Sequence, residues 1–249
     1  MLLTGQKQLI LACHITGVFD VNRQTSLPED DYTIVEHWAA SLSALKIHGI
    51  IFHNNFSKAT CQQFANPYIS FRRITYNNLY NPNVYRYFVY QDFLKTHQNI
   101  KSLFVTDISD VTVVNNPFLQ PLFINNPTAL FCGDEPTLLA NDWMQNHNAY
   151  LRRQLEFFAN YETAFAQATL LNCGIIGGSY QIMQPFLAEL CAIHKQYNQH
   201  NITAYTGDMG AFNYLVRTKY NQQLLHGAPV NTIFKTYDAG NKTCWFRHK

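Results

Sequence analysis

The chain is poor in charged residues. Asp, Glu, Lys and Arg make up 14% of its 249 residues, whereas an average soluble protein has about 25%. The formal net charge is only +2 and the basic residues are scattered, which argues against nucleic acid as the main partner, because phosphate contacts need clustered Lys and Arg. Disorder is excluded, since 47% of the residues are hydrophobic and 14% are aromatic. This composition predicts a folded protein with a large core.

Long apolar runs are also missing. No segment has the roughly 18 uninterrupted apolar residues of a membrane-spanning helix, so no transmembrane segment is expected. The run Leu9-Ile10-Leu11-Ala12 follows a single lysine, Lys7, and has no small-residue cleavage site, which favours a first strand over a signal peptide. We therefore expect a soluble, cytoplasmic protein, with peripheral attachment to a membrane left open.

Closely spaced motifs for metals and nucleotides are absent as well. The cysteines show no Cys-x-x-Cys spacing, which favours reduced core thiols over a disulfide framework or a zinc site. They are Cys13, Cys61, Cys132, Cys173, Cys191 and Cys244. Neither Gly-x-Gly-x-x-Gly nor the Walker A pattern occurs, which argues against Rossmann dehydrogenases and P-loop nucleotide hydrolases.

The chain does contain an alternation of apolar strands and amphipathic helices. Strands are predicted at 8–13, 49–52, 68–74, 102–106, 129–132, 170–176 and 243–247, and helices at 33–46, 56–64, 82–97, 141–160, 180–195 and 209–219. Continuous apolar runs such as 102–106 suit strands that are covered on both faces. We therefore predict a single α/β domain over residues 1–249, with a mixed, mostly parallel sheet and helices on both faces.

Carboxylates follow two of the predicted strands. Asp107 and Asp110 lie at the carboxyl end of the strand at 102–106, the edge at which open α/β sheets bind ligands. Carboxylates this close repel each other unless a cation, a proton or a donor lies between them, which favours a divalent metal with oxygen ligands. A turn in which one aspartate caps backbone N–H groups is the alternative, and the spacing does not decide between them. Asp134 and Glu135 follow a later strand.

Two further segments are candidates for a ligand site. Glycines interrupt an apolar strand in Asn172-Cys-Gly-Ile-Ile-Gly-Gly178, which is typical of a close backbone approach and equally of an ordinary turn. Asp208 stands where a helix is predicted to begin, so it either caps that helix or faces a ligand. Spacing alone does not select any of the ten histidines, including His226 and His248.

Taken together, these segments resemble the GT-A-fold glycosyltransferases, which transfer a sugar from a nucleotide-sugar donor with help from a divalent cation. Residues 83–87 and then 104–111 look like the family's arginine-bearing helix and its acidic motif. Residues 172–178 are similar to its Asn-(Ala/Ser/Cys)-Gly segment, and residues 207–213 to the Asp-Gln-x-x-x-Asn helix start of retaining members. Residues 245–249 look like its late segment with a histidine and a lysine.

The resemblance implies a GT-A-like domain with a nucleotide-binding half at 1–110 and an acceptor half with a C-terminal closing segment at 111–249. The implied donor-binding residues are His14, Ile15, Thr16, Arg86, Asp107, Asn172, Gly174 and Lys249. The implied ligands of Mn²⁺ or Mg²⁺ are Asp107, Asp110 and His248. Asp-x-x-Asp stands here in place of the usual Asp-x-Asp, which leaves open how the two aspartates divide ribose and metal, and Met209 replaces the glutamine of the helix start.

The implied activity is metal-dependent transfer of a hexose-type sugar from a nucleotide-diphosphate sugar to a glycan or other hydroxyl acceptor, with a UDP-sugar as the expected donor. Asp208 or Asp134 would be catalytic, as a base or as the stabiliser of an oxocarbenium-like state. One alternative is a non-catalytic carbohydrate-binding or interaction domain with the same fold. Another is a sugar nucleotidyltransferase, although the Gly-x-Gly-Thr-Arg loop expected after the first strand is absent. A glycosidase would need two carboxylates flanking the scissile bond.

Overall fold

The computed structural model describes residues 7–20, 24–197, 207–236 and 238–249. The described strands are β1 (Lys7–His14), β2 (Phe19–Asp20), β3 (Thr25–Ser26), β4 (His48–His53), β5 (Ile69–Arg73), β6 (Ile100–Thr106), β7 (Val111–Val113), β8 (Leu130–Leu138), β9 (Thr169–Ser179), β10 (Leu224–His226) and β11 (Phe246–His248). The described α-helices are α1 (Thr33–Ala44), α2 (Lys58–Phe64), α3 (Pro82–Thr96), α4 (Pro121–Ile124), α5 (Asp142–His147), α6 (Ala149–Gln154), α7 (Phe158–Ala164), α8 (Tyr180–Gln196) and α9 (Asp208–Leu215).

Seven of the strands form one sheet in the order β10-β8-β9-β6-β1-β4-β5. Four of its neighbouring pairs are parallel, and both pairs that involve β9 are antiparallel. The predicted α/β fold with a mixed, mostly parallel sheet is confirmed. The boundary near residue 110 does not divide the sheet, because strands from both sides of it belong to the same seven.

Successive residues of the central strand β1 pack on opposite faces of the sheet, as the two-residue period of a strand requires. Leu9 and Leu11 belong to a core cluster that includes residues of α3, α8 and α9. Ile10 and Ala12 belong to a second cluster, in which Trp38 of α1 is fully buried. Helices therefore cover both faces, which is why the strand reads as a continuous apolar run.

A small second sheet brings the end of the chain back to the carboxyl edge of β6. Strand β11 pairs with β7 in antiparallel register, with Phe246 opposite Val113 and His248 opposite Val111. The aromatic rings of Trp245 and Phe246 are buried and hold this segment against the core. His248 is thereby placed beside the residues that follow β6.

The structure corrects several predicted elements. The helix predicted at 141–160 is three short helices, α5 to α7, because the chain turns at Asn148 and at Phe157, whose positive φ of 66° is not helical. Strand β8 extends to Leu138, beyond the predicted end at 132, since pairing with β9 continues past an irregularity. Helix α9 ends at Leu215 and continues as a π-helix over Val216–Tyr220. The last strand lies at Phe246–His248 and not at 243–247.

The short strands β2, β3, β7 and β10 were not predicted, because segments of two or three residues carry too little periodicity to be recognised in a sequence. Four of the cysteines are buried and all six are free in the structure. None of the described helices is both long and apolar enough to cross a bilayer.

A buried histidine makes stability depend on pH. His194 of α8 stacks on Tyr87 of α3 with ring centroids 5.8 Å apart, and burial lowers its pKa from 6.5 to about 4. The unfolded chain therefore takes up a proton at this residue below pH 6.5 that the folded chain takes up only near pH 4. The contribution of neutral His194 to the free energy of unfolding is fully present above pH 6.5. It is lost as the pH falls toward 4, by up to about 3 kcal/mol.

We expect His194→Gln to flatten the decline in the free energy of unfolding between pH 6.5 and pH 4, as measured by urea denaturation at several pH values. The exposed His37 of α1 is the matched control, and His37→Gln should leave the slope unchanged. An equally steep decline in His194→Gln would contradict the assignment.

Candidate functional site

A cleft of about 980 Å³ opens at the carboxyl edge of β1 and β6. Strand β9 runs in the opposite direction, so its first half, including Asn172, lies at the same edge. The volume is in the range of about 300–1,000 Å³ that is typical of small-molecule sites. Ligands of open α/β sheets bind at this edge, so the cleft is the candidate site.

Two aspartates and a histidine form a compact cluster in the cleft wall. Asp107 follows β6, Asp110 precedes β7, and His248 comes from β11. One ligand atom from each residue lies within 4.8 Å of the others, and the Nε2 atom of His248 is 3.9 Å from Asp107 Oδ2 and 3.8 Å from Asp110 Oδ2. The aspartate side chains are about one-third exposed, whereas that of His248 is 2% exposed. We call these residues the Asp–Asp–His cluster.

Arg86 of α3 forms a salt bridge with Asp107, one member of this cluster. Its Nη1 atom donates to Asp107 Oδ1, its Nε atom donates to the carbonyl of Asn83, and its Nη2 atom donates to the hydroxyl of Tyr87. Arg86 is only 9% exposed and lines the cleft. Helix α3 starts where the sequence predicted it, because Asn81 caps its first turn and Pro82 occupies the first helical position. The helix therefore fixes the guanidinium of Arg86 beside Asp107.

Gly174 of β9 has no side chain, and the Asp–Asp–His cluster occupies the space where one would lie. A Cβ atom at this position would lie 2.5 Å from His248 Cε1 and 2.7 Å from Asp107 Oδ2. The amide of Asp107 donates to the carbonyl of Gly174 over 2.8 Å, so β6 and β9 are joined at this level. Only glycine permits this approach, which is a physical reason for the interrupted apolar run.

Asn172 links Gly174 to the next strand. Its Oδ1 atom accepts from the amide of Gly174 at 2.7 Å, and its Nδ2 atom donates to Glu135 Oε1 of β8 at 2.8 Å. Asn172 and Glu135 both line the cleft. Both polar groups of the Asn172 side chain are therefore hydrogen-bonded, and Asn172 orients the carboxylate of Glu135 in the cleft wall.

The end of β1 forms the opposite part of the cleft. His14 and Ile15, which the resemblance implies as donor-binding residues, line it, and the ring of His14 stacks on Phe56 with centroids 5.0 Å apart. Thr16 does not line it, because the amide of Thr16 donates to Asn54 Oδ1 and its carbonyl accepts from the side chains of Asn54 and Asn55. Thr16 therefore shapes the loop without facing the cavity.

The two predicted catalytic aspartates have different surroundings. Asp208 lines the cleft at the start of α9, is 8% exposed, and its Oδ1 atom lies 3.4 Å from Nε2 of His147. Burial alone would raise its pKa, but the hydrogen bond and charge of His147, together with Arg86, hold the pKa of Asp208 well below its usual range. Asp134 does not line the cleft; its Oδ2 atom is 2.9 Å from Nδ1 of His226.

Glu135 was not among the predicted site residues, yet it lines the cleft where Asp134 does not. Neighbouring residues of a strand point to opposite faces, and Glu135 and Thr137 share the face that turns to the cavity. Burial raises the pKa of Glu135. The alternation could have distinguished the two acids, but the strand was predicted to end at 132, before either of them.

Two lysines add positive charge to the cleft wall. Lys249, an implied donor-binding residue, lines it, and the amide of Lys249 donates to the carbonyl of Asp110 over 3.0 Å. Lys235 also lines the cleft and was missed, since it lies in an irregular segment and has a positive φ of 61° that no sequence pattern signals. Among the described residues, Arg86, Lys235 and Lys249 are the lysines and arginines that line the cavity near its acids.

No family model matches the chain, and a search of curated proteins finds no significant match. Any function must therefore be argued from the geometry of the cleft.

Removal of the buried guanidinium should destabilise the fold. We expect Arg86→Met to lower the free energy of unfolding by about 3 kcal/mol, because it removes the salt-bridge partner of the partly buried Asp107 and one of the positive charges near the buried Asp208. The exposed Arg153 of α6 is the matched control, and Arg153→Met should change the unfolding free energy by less than about 0.5 kcal/mol. Equal effects of the two substitutions in urea denaturation would show that Arg86 has no special electrostatic role.

Proposed function

We propose that this protein is a metal-dependent glycosyltransferase that moves a hexose-type sugar from a UDP-sugar to a glycan or other hydroxyl acceptor. The observation that carries the proposal is the Asp–Asp–His cluster at the carboxyl edge of β6, beside a cleft with cationic side chains. Two acids, a histidine and nearby cations suit a substrate that brings both a metal ion and a diphosphate. The same segments carry the resemblance of the sequence to GT-A enzymes.

The residues of the cluster suit Mn²⁺ or Mg²⁺ as the cofactor. Carboxylate oxygens are preferred by both ions, and a histidine nitrogen beside them favours Mn²⁺ over the harder Mg²⁺. The Nδ1 atom of His248 is buried and has no hydrogen-bond partner within the described ranges, and the Nε2 atom of the same ring lies within 4 Å of both carboxylates. Such an ion would supply positive charge that stabilises a departing diphosphate.

The protein's own cations would act on the same leaving group. Arg86 is fixed by its bonds to Asn83 and Tyr87, and Lys249 is held at the cleft by the pairing of β11 with β7. Charges that are already in place need no reorganisation when negative charge develops, which is the usual source of electrostatic stabilisation in enzymes. Asp208, kept ionised by His147, would be available to stabilise positive charge on the sugar.

The decisive measurement is a screen for hydrolysis of nucleotide-sugars with and without Mn²⁺. We expect hydrolysis of at least one UDP-sugar that requires Mn²⁺ and falls at least about 100-fold in Asp110→Asn, because a lost ligand removes electrostatic help worth several kcal/mol. Asp92→Asn is the matched control, since the side chain of Asp92 is 73% exposed on α3.

Activity that survives chelation of metal, or that Asp110→Asn retains, would contradict the metal assignment. Binding of a glycan with no metal-dependent binding or turnover of any nucleotide-sugar would instead favour the non-catalytic carbohydrate-binding alternative.

A second variant tests the geometry of the cluster. We expect Gly174→Ala to weaken Mn²⁺ binding at least about 10-fold, because its Cβ atom would displace His248 or Asp107 from the cluster. The free Mn²⁺ signal in electron paramagnetic resonance measures the affinity directly. Gly240→Ala is the control, since the nearest atom to a Cβ there lies 3.5 Å away. Unchanged Mn²⁺ affinity in a folded Gly174→Ala protein would argue that the ion binds elsewhere.

A further inference from the structure

We propose that Glu135 accepts hydrogen bonds from hydroxyl groups of the transferred sugar and so contributes to the choice of donor. The inference rests on the proposed function, and it assigns to the sugar one particular part of the cleft.

The two sides of the cleft differ in chemistry. On the β1 side the described lining includes the apolar residues Ile15, Leu27 and Ile34 beside polar but uncharged groups, and it includes no carboxylate outside the Asp–Asp–His cluster. On the β8 and β9 side apolar residues such as Leu170 and Met209 also occur, but this side includes the carboxylate of Glu135 with Asn172 and Thr137. The Asp–Asp–His cluster lies between them, because β6 separates β1 from β9 in the sheet.

A nucleotide-sugar has the same asymmetry. Its diphosphate joins a flat base, which suits apolar walls, to a ring that carries several hydroxyl groups and needs hydrogen-bond partners. With the diphosphate at the cluster, the base matches the β1 side and the sugar matches the β8 side. Strand β8 is two interstrand spacings from β6, which is about 10 Å. A phosphate group joined to a sugar ring spans a comparable distance.

Glu135 is suited to this role by its contacts. Asn172 Nδ2 donates to Oε1 at 2.8 Å and restrains the carboxylate, while Oε2 has no hydrogen-bond donor within the described part of the chain. A restrained carboxylate with acceptor capacity left over binds hydroxyl groups well, and charged acceptors make the stronger hydrogen bonds.

Two of the other acids of this side are engaged differently. Asp134 pairs with His226 and does not line the cleft. Asp208 lies deeper, is 8% exposed and pairs with His147. Glu135 is also outside the Asp–Asp–His cluster, so its replacement should not remove a metal ligand.

The test compares UDP with UDP-sugars on Glu135→Gln. In isothermal titration calorimetry with Mn²⁺ present, we expect the affinity for UDP to stay within twofold of the original protein. The affinity for the best of UDP-glucose, UDP-galactose and UDP-N-acetylglucosamine should fall at least about 10-fold, as a lost hydrogen bond to a charged group predicts. Glu156→Gln is the matched control, because Glu156 is exposed and does not line the cleft.

The outcomes separate this inference from the proposed function. Retained binding of UDP shows that Glu135→Gln is folded, and a selective loss for the UDP-sugar supports the inference. An equal loss for UDP and UDP-sugar, or no loss for either, overturns it while leaving the proposed function in place. If the unaltered protein binds neither UDP nor any of the three UDP-sugars with Mn²⁺, both proposals fall together.

Discussion

Two carboxylates at the end of a buried strand must be surrounded by positive charge or hydrogen-bond donors, because their mutual repulsion is otherwise uncompensated. Here the compensating groups come from distant parts of the chain. Arg86 reaches Asp107 from α3, and His248 arrives on the last strand. The buried arginine, the pairing of β11 with β7 and the glycine at position 174 all meet at this one place. The cleft has its electrostatic character because these segments converge on the two acids.

The antiparallel strand β9 extends the site from β6 toward β8. Parallel strands end at the cleft edge, whereas an antiparallel strand enters the sheet there, so its early residues face the ligand side. Asn172 uses this position to tie Gly174 to Glu135. Polar side chains are thereby carried two strands away from β6, on the side opposite His14. The placement of Glu135 and Asn172 on one side of the cleft is a direct consequence of the strand order.

A fold does not by itself specify a function, and mixed α/β sheets carry many chemistries. For this chain glycosyl transfer is proposed from the Asp–Asp–His cluster, from the cations beside it and from the carboxylate of Glu135 on the β8 side of the cleft. Each of these is a property of named side chains and can be altered one residue at a time. The low overall charge makes the concentration of acids and cations in this cleft the more significant.

The sequence by itself determined the α/β class, the mostly parallel sheet and the position of Asp107 and Asp110, because apolar runs and strand ends are local features. Tertiary structure decided which distant residues join them. His248 could not be selected by spacing, and Glu135 could be told from Asp134 only once β8 was seen to continue past residue 132. The helix predicted at 141–160 divided into three, because turns at Asn148 and Phe157 interrupt it. Periodicity reports which face of an element is buried, but contacts between distant segments depend on strand order and register, which no local pattern encodes.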